Sequence, residues 1–265
     1  MRGDRIQILR HGSWVELRLC RPELHNAFDP AMIAELTRSL QELSEDLSLR
    51  LLVLAGEGKN FCAGADLNWM RESAGYTSKR NEEDALRLHR MFQALHEFPR
   101  PTLARVQGAV FGGGVGLVAC CDAAVAAADA VFCLSEVRLG ILPAVIGPFL
   151  IRKIGVGNYR AYGLSAKPIP AAEALRIGLA QEVVPLERLD AAVQEWVDRF
   201  LGNGPEAMAR LKSLIAEIEF LPTAEAAGKT ARAIARARAG KEGQEGLKAF
   251  LDKGRPAWRP AKKPK

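Results

Sequence analysis

The 265-residue sequence is poor in cysteine and has none of the cysteine spacings typical of metal or redox motifs. Its five cysteines are odd in number, lack CxxC spacing and lie in apolar runs. Cysteines of this kind behave as small buried hydrophobic side chains in a reducing compartment. The sequence therefore predicts neither a disulfide framework nor a bound metal.

Long apolar runs are also missing. No uninterrupted stretch of about 18–20 apolar residues occurs, so we expect no membrane span and no membrane partner. The first residues, MRGDRIQILRHG, have no apolar core like that of a signal peptide. Together these absences predict a cytoplasmic protein. A hydrophobic content of 48% is enough for one large α/β domain, alone or with a helical appendage.

The sequence has no large excess of one sign of charge, except near the end of the chain. Lys and Arg number 37 against 31 Asp and Glu, but residues 229–265 hold twelve basic and three acidic residues. Such a segment could meet phosphate, nucleic acid or an anionic surface, or could form a solvated helix face followed by a tail. Residues 259–265 (RPAKKPK) are predicted to be disordered.

Nucleotide-binding glycine motifs are absent, although one segment is rich in glycine. A GxGxxG motif starting at Gly112 would need glycine at Leu117, and GxxxxGK[ST] does not occur. The glycines Gly112–Gly114 follow a β-type run at 102–106 and precede an apolar small-residue segment. A strand, glycines and a helix leave free N–H groups that favour a small developing anion. The alternative is a tight turn with close helix packing.

A second turn has the same character. Residues 60–70 (NFCAGADLNWM) follow an apolar β-type run at 51–56 and lead into a helix-like segment. Each of the two turns could offer one backbone N–H group to the same oxygen atom.

Four motifs together resemble the enoyl-CoA hydratase/isomerase (crotonase) superfamily. They are HNAF at 25–28, FCAGADL at 61–67, FGGGVGL at 111–117 and LSEVRLGILP at 134–143, and the resemblance extends to EGLKAFLDKGRPAW at 245–258. The sequence looks most like bacterial 3-methylglutaconyl-CoA and isohexenylglutaconyl-CoA hydratases. The resemblance implies an α/β fold, a crotonase-like spiral of ββα units with a C-terminal helical region.

Periodicity divides the chain in a way that fits this fold. Alternation at 5–10 and 13–20 predicts a hairpin, and apolar spacing predicts helices at 31–46 and 82–98. Because only helical segments follow 205, we expect a core at 1–200 and a helical region at 201–265 with a short basic tail. By resemblance, this region builds homotrimers, or hexamers as dimers of trimers.

The resemblance also assigns the site. The backbone N–H groups of Ala65 and Gly113 would form the oxyanion hole, and Glu136 would be the acid–base residue. On local sequence, Glu136 could instead pair with Arg138. The residues expected to bind substrate or CoA are Asn26, Ala27, Ala63, Asp66, Leu67, Trp69, Gly112, Gly116, Phe250 and Lys253. Asp66 also fits a helix N-cap, Trp69 fits a core residue, and His25 fits a structural role.

The sequence departs from the family at the first catalytic glutamate. That position is Gly116, and the following loop reads LPAVIGPF at 142–149 instead of the usual PGxGGTQ. We therefore expect Glu136 to do both proton transfers. Alternatively, a carboxylate on the substrate itself could hold the water, with Arg138 or Arg152 orienting that carboxylate. If Gly116→Glu raised activity on simple crotonyl-type thioesters, the missing glutamate would explain a narrowed substrate range.

The expected activity is hydration of an α,β-unsaturated, branched glutaconyl-type acyl-CoA. A Δ3,Δ2-enoyl-CoA isomerase is the alternative, because one carboxylate can move one proton between two carbons. An RNA-binding crotonase is a third reading. The predicted first helix carries one Arg and no Lys, so nucleic acid is not expected as a partner. No permanent cofactor is expected, and coenzyme A enters as part of the substrate.

Overall fold

The computed structural model describes residues 5–259, which form two compact units. The first contains residues 5–98 and 102–193, and the second contains 99–101 and 194–259. Of the basic tail predicted at 259–265, residues 260–265 lie outside the described residues. No helix in the described range is long and apolar enough to cross a membrane.

The strands of the first unit form two sheets. In chain order the strands are β1 (Ile6–His11), β2 (Trp14–Leu19), β3 (Leu51–Gly56), β4 (Thr102–Val106), β5 (Ala109–Phe111), β6 (Ala123–Ala127), β7 (Val131–Cys133), β8 (Ile169–Pro170) and β9 (Glu182–Val184). The larger sheet has the order β1-β2-β3-β4-β6-β9, and the smaller has the order β5-β7-β8. β1 and β2 are antiparallel, as the predicted hairpin requires, and the other pairs of the larger sheet are parallel.

Strand composition follows from burial. Every residue of β3 and β6 is buried, which explains their uninterrupted apolar sequences. β2 alternates between buried and half-buried residues, as expected for a strand with one protected face. The larger sheet thus places β3 and β4 side by side. β3 leads into the first small-residue turn, and β4 leads through β5 into the second.

Six α-helices lie entirely within the first unit. They are α1 (Pro30–Glu45), α2 (Leu67–Ser73), α3 (Ser78–His96), α4 (Gly113–Cys120), α5 (Gly147–Ser165) and α6 (Ala171–Arg176). α1 begins as predicted, because Asp29 caps it by accepting a hydrogen bond from the Met32 amide at 2.7 Å and Pro30 occupies its first turn. The prediction for α3 began four residues late. Thr77 caps the helix, so the polar segment that starts at Ser78 is already helical.

Helices also make up the second unit. α7 (Leu189–Leu201) runs from the first unit into the second, and α8 (Pro205–Ile218), α9 (Thr223–Ala239) and α10 (Lys241–Leu251) follow it. Glu242 fixes α10 to the start of α8 by accepting hydrogen bonds from the amides of Glu206 and Ala207. The predicted run of helices after 205 is present, and its role in assembly stays a prediction.

Candidate active site

The two small-residue turns lie against each other and against one pocket. The first turn connects β3 to α2, and the second connects β5 to α4. Gly64 has a φ of +91°, and a Cβ atom there would lie 2.9 Å from the Phe111 carbonyl oxygen. Glycine is therefore required where the turns touch. Both turns line a cavity of about 390 Å³.

Two backbone N–H groups at this pocket remain unused by the protein. Ala65 and Gly113 both line the cavity, and neither amide donates a hydrogen bond to any residue between 5 and 259. Gly113 is the first residue of α4, where an N–H group has no acceptor inside the helix. These are the two amides predicted to form an oxyanion hole. Both N–H groups can donate to an acceptor oxygen of a bound ligand.

Phe28 connects the two turns. Its amide donates to the Gly64 carbonyl at 2.7 Å, and its carbonyl accepts from the Asp66 amide at 2.7 Å, so Ala65 is held between two backbone bonds. Its ring packs on the second turn, where a Cβ atom on Gly113 would lie 2.6 Å from Phe28 Cε2. The final residue of the HNAF motif thus sets the positions of both free amides.

Glu136 is the acidic residue of the pocket. It begins a short 3₁₀ helix, Glu136–Leu139, directly after Ser135. Its Oε2 atom is buried and has no hydrogen-bond partner among the residues that the structure describes. Burial raises the pKa of this carboxyl above its usual value. The alternative pairing with Arg138 does not occur, since Arg138 donates to the Ala166 carbonyl at 2.5 Å.

At Gly116, the position predicted to correspond to the family's first glutamate, an apolar side chain fills the space. A Cβ atom on Gly116 would lie 2.3 Å from Ile146 Cγ2 and 3.0 Å from Phe92 Cε1. Ile146 lies in the loop whose sequence departs from the family pattern, and it is 3% exposed. Gly116 and the loop residue Ile146 therefore belong to one packing arrangement.

Tyr159 fixes the loop that carries Ile146. Its hydroxyl donates to the Pro143 carbonyl at 2.9 Å, and a Cβ atom on Gly147 would lie 2.9 Å from that hydroxyl. Burial, and secondarily the nearby Glu136, raises the pKa of the tyrosine hydroxyl, so it stays a neutral donor. Sequence analysis missed Tyr159 and Ile146, although the unusual loop sequence was the available signal for Ile146.

Several predicted binding residues line the pocket, and others support it. Ala63, Leu67, Trp69 and Gly112 line the cavity. Asp66 does not. It caps α2 by accepting from the Asn68 amide at 2.8 Å and pairs with Arg21 at 2.8 Å. The prediction that Asp66 caps a helix is confirmed. The contact of Asp66 with CoA stays a prediction.

Asn26 and Ala27 are buried beside the first turn. The Asn26 side chain accepts from the Arg21 amide and donates to the carbonyls of Glu57 and Asn60 at 2.9 and 2.8 Å. This bonding explains its burial and supports a structural role for its side chain. His25 pairs through Nδ1 with the Asn60 amide at 2.9 Å, consistent with the structural role expected for it.

The remaining predicted residues lie elsewhere. Phe250 and Lys253 belong to the second unit, where Phe250 is 81% exposed and Lys253 has a φ of +52°. Neither Arg138 nor Arg152 lines the pocket, and Arg152 contacts His96 Nε2 at 3.4 Å. The expectation that one of these arginines orients a substrate carboxylate therefore finds no support. Within 5–259, no cluster of three His, Cys, Asp or Glu could hold a metal ion.

Comparison with known proteins identifies the family. The Enoyl-CoA hydratase/isomerase family model matches residues 10–261. A crotonyl-CoA hydratase from Syntrophomonas wolfei subsp. wolfei is 33% identical over 239 residues, covering 89% of this chain and 91% of that protein. The chain therefore belongs to the enoyl-CoA hydratase/isomerase family.

Solved structures agree with this assignment. An enoyl-CoA hydratase from Shewanella pealeana superposes with a TM-score of 0.91 at 40% identity, covering 96% of each chain. Pseudomonas aeruginosa AtuE superposes with a TM-score of 0.93 at 34% identity, covering 97% of this chain and 100% of that one. The predicted crotonase-like α/β fold is confirmed.

Proposed function

We propose that this enzyme adds water to the double bond of an α,β-unsaturated acyl-CoA thioester. The observation that carries the proposal is the meeting of three groups in one cavity that have no hydrogen-bond partner in the described structure: the amides of Ala65 and Gly113 and the Oε2 atom of Glu136. Family membership supplies the substrate class, since the relatives compared above are named as hydratases of enoyl-CoA or crotonyl-CoA.

The amides stabilise the charge that develops on the substrate. When water adds at the β-carbon, electrons move toward the thioester oxygen and an enolate forms. Two N–H donors aimed at that oxygen bind the enolate more strongly than the ground-state carbonyl, which lowers the barrier. Fixed backbone donors need no reorganisation during the reaction. Phe28 supports this role because it fixes both turns.

Glu136 moves the proton. As a carboxylate it accepts one proton from water while the water oxygen bonds to the β-carbon. It then returns that proton to the α-carbon, so the enolate collapses to the saturated thioester and Glu136 is regenerated. In a syn addition the water oxygen and the proton add to the same face of the double bond. A single carboxylate on that face can therefore carry out both proton transfers. Glu136 is the one acidic residue among those that line the described pocket.

An isomerase that moves a double bond from Δ3 to Δ2 is the second candidate. The Ile146 side chain in place of a second carboxylate favours it, because isomerisation needs one base and no water.

The specific substrate that we propose for the hydratase is a branched glutaconyl-type thioester, and this proposal rests on the motif resemblance alone. The proposed assembly is a trimer or a dimer of trimers, and coenzyme A is present only as part of the substrate.

One assay separates the two activities. The purified enzyme is incubated with 2-enoyl-CoA and with 3-enoyl-CoA thioesters in water enriched in ¹⁸O, and products are resolved by mass. Hydratase activity gives a labelled 3-hydroxyacyl-CoA from the 2-enoyl substrate. Conversion of the 3-enoyl substrate without ¹⁸O uptake would replace the hydratase proposal with the isomerase.

A further inference from the structure

A second cavity adjoins the active-site pocket. It has a volume of about 280 Å³ and lies between α1 and α3. Trp69 lines both cavities, so its indole ring is a shared wall. We call this second cavity the arginine pocket, after Arg38, Arg87 and Arg90, which line it.

The charges of the arginine pocket are unbalanced. Asp84 is its one acidic lining residue, and this carboxylate pairs with Arg87 one helical turn away on α3. The side chains of Arg38 and Arg90 make no hydrogen bond or ion pair with any residue in the described part of the chain. Both arginines are exposed to solvent, and two guanidinium groups that line one cavity without an internal partner favour an anionic ligand, above all a carboxylate or phosphate.

One side of the arginine pocket is apolar. Pro30, Ile33 and Ala34 supply an apolar surface from α1, and Ile33 is 3% exposed. Trp69 adds its ring, and its Nε1 atom is buried without a hydrogen-bond partner in the described structure. An unsatisfied buried donor is costly, so a ligand that brings an acceptor would relieve it. The cavity thus suits an apolar chain that ends in an anion.

We propose that the arginine pocket binds a carboxylate at the distal end of the acyl chain, which reaches it past Trp69. This subsite rests on the proposed function, because the chain must come from a thioester bound at Ala65 and Gly113. A neutral fatty chain could use the apolar wall but would leave Arg38 and Arg90 without an anion. The substrate class that matches both features is an enoyl-CoA with a carboxylate remote from the thioester.

Binding of unreactive thioesters tests the subsite independently of catalysis. The ligands are octanoyl-CoA and the same thioester with a carboxylate in place of its terminal methyl group, titrated calorimetrically. Wild-type protein should bind the carboxylate ligand more tightly. Arg38→Gln and Arg90→Gln should each remove roughly tenfold of that preference and leave octanoyl-CoA binding unchanged. Arg160→Gln, on α5 and away from both cavities, makes the same charge change and should alter neither ligand.

Kinetics with 2-octenoyl-CoA, its carboxylate analogue and the shorter glutaconyl-CoA complete the test. A wild-type kcat/KM that is higher for a carboxylate substrate, and is lost in Arg38→Gln and Arg90→Gln, supports the subsite. Equal binding of both octanoyl ligands by wild type and both variants overturns the subsite but leaves the proposed function standing. Selective binding without turnover of any enoyl-CoA overturns the proposed function instead. Failure to bind any CoA thioester overturns both.

Discussion

Ile146 occupies the space that a side chain at position 116 would need: a Cβ atom on Gly116 would lie 2.3 Å from Ile146 Cγ2. The packing at each of these positions depends on the residue at the other. Glycine at 116 makes room for the isoleucine, and the isoleucine, 3% exposed, closes a cavity that glycine would otherwise leave. The two positions must therefore change together.

This packing predicts the outcome of Gly116→Glu, which the sequence alone left open. The single variant should lose activity and stability, because overpacking a filled core site costs roughly 1–3 kcal/mol. The double variant Gly116→Glu with Ile146→Gly should recover stability and gain turnover of short enoyl-CoA thioesters. Thermal unfolding and kcat/KM on crotonyl-CoA measure both effects. Ile146→Gly alone is the control, and a gain by Gly116→Glu alone would refute the steric argument.

Glu136→Gln tests the proton-transfer role and retains the shape of the side chain. We expect kcat to fall by roughly 10²–10⁴, because the amide cannot accept a proton from water. In the wild type, burial raises the pKa of Glu136, so the acidic limb of the pH profile should lie above the usual range of a glutamate. Near-wild-type hydration by the variant would show that the base lies elsewhere.

The same raised pKa also predicts how the stability of the folded protein depends on pH. Glu136→Gln should lower activity but raise stability at neutral pH. A carboxyl whose folded pKa exceeds its unfolded value binds its proton more tightly in the native state. Its contribution to stability is therefore complete below the unfolded pKa and is lost as the pH rises through the folded pKa. Glu136→Gln should match the wild type in thermal stability at acidic pH and exceed it at neutral pH. Lower stability of the variant at neutral pH would contradict the assigned pKa direction.

Gly113→Ala should disturb the proposed oxyanion hole through Phe28. The new methyl group would lie 2.6 Å from Phe28 Cε2, so the turn, the ring or both must shift. Displacing one oxyanion donor can cost up to roughly 10²–10³ in kcat. Gly157→Ala in α5 is the matched control, since its Cβ would meet nothing within 4 Å. The control should keep full activity, and a similar kcat for both variants would count against the assigned role of Gly113.

Tyr159→Phe isolates the support of the active-site loop. It removes the hydrogen bond to the Pro143 carbonyl and keeps the packing of the ring, which should cost roughly 1 kcal/mol of stability. Because residues 141–146 line the pocket, we expect KM to rise more than kcat falls. Steady-state kinetics and thermal unfolding check this expectation. A fall in kcat at constant KM would assign Tyr159 to the chemistry instead.

Much of the fold could be predicted from the sequence, because many helix and strand signals depend only on neighbouring residues. Asp29 followed by Pro30 marked the start of α1, and the apolar sequences of β3 and β6 marked buried strands, because each signal depends on neighbouring residues. The fit of Ile146 to Gly116, and of Phe28 to Gly113, could not be read in this way. Those contacts join residues 30 and 85 positions apart, and only the folded chain brings them together.

Lys253 tests the proposed role of the helical region in CoA binding. Its φ of +52° would strain an alanine, so Lys253→Asn is the better variant, because asparagine tolerates the left-handed region and carries no charge. If Lys253 reaches the CoA phosphate of a neighbouring subunit, the variant should weaken CoA binding at low salt and differ little at high salt, where screening already weakens the contact. Lys241→Asn, at the start of α10, provides the matched loss of charge. Sedimentation measured in parallel should show a trimer or hexamer, and a monomer with full activity would rule out a shared site.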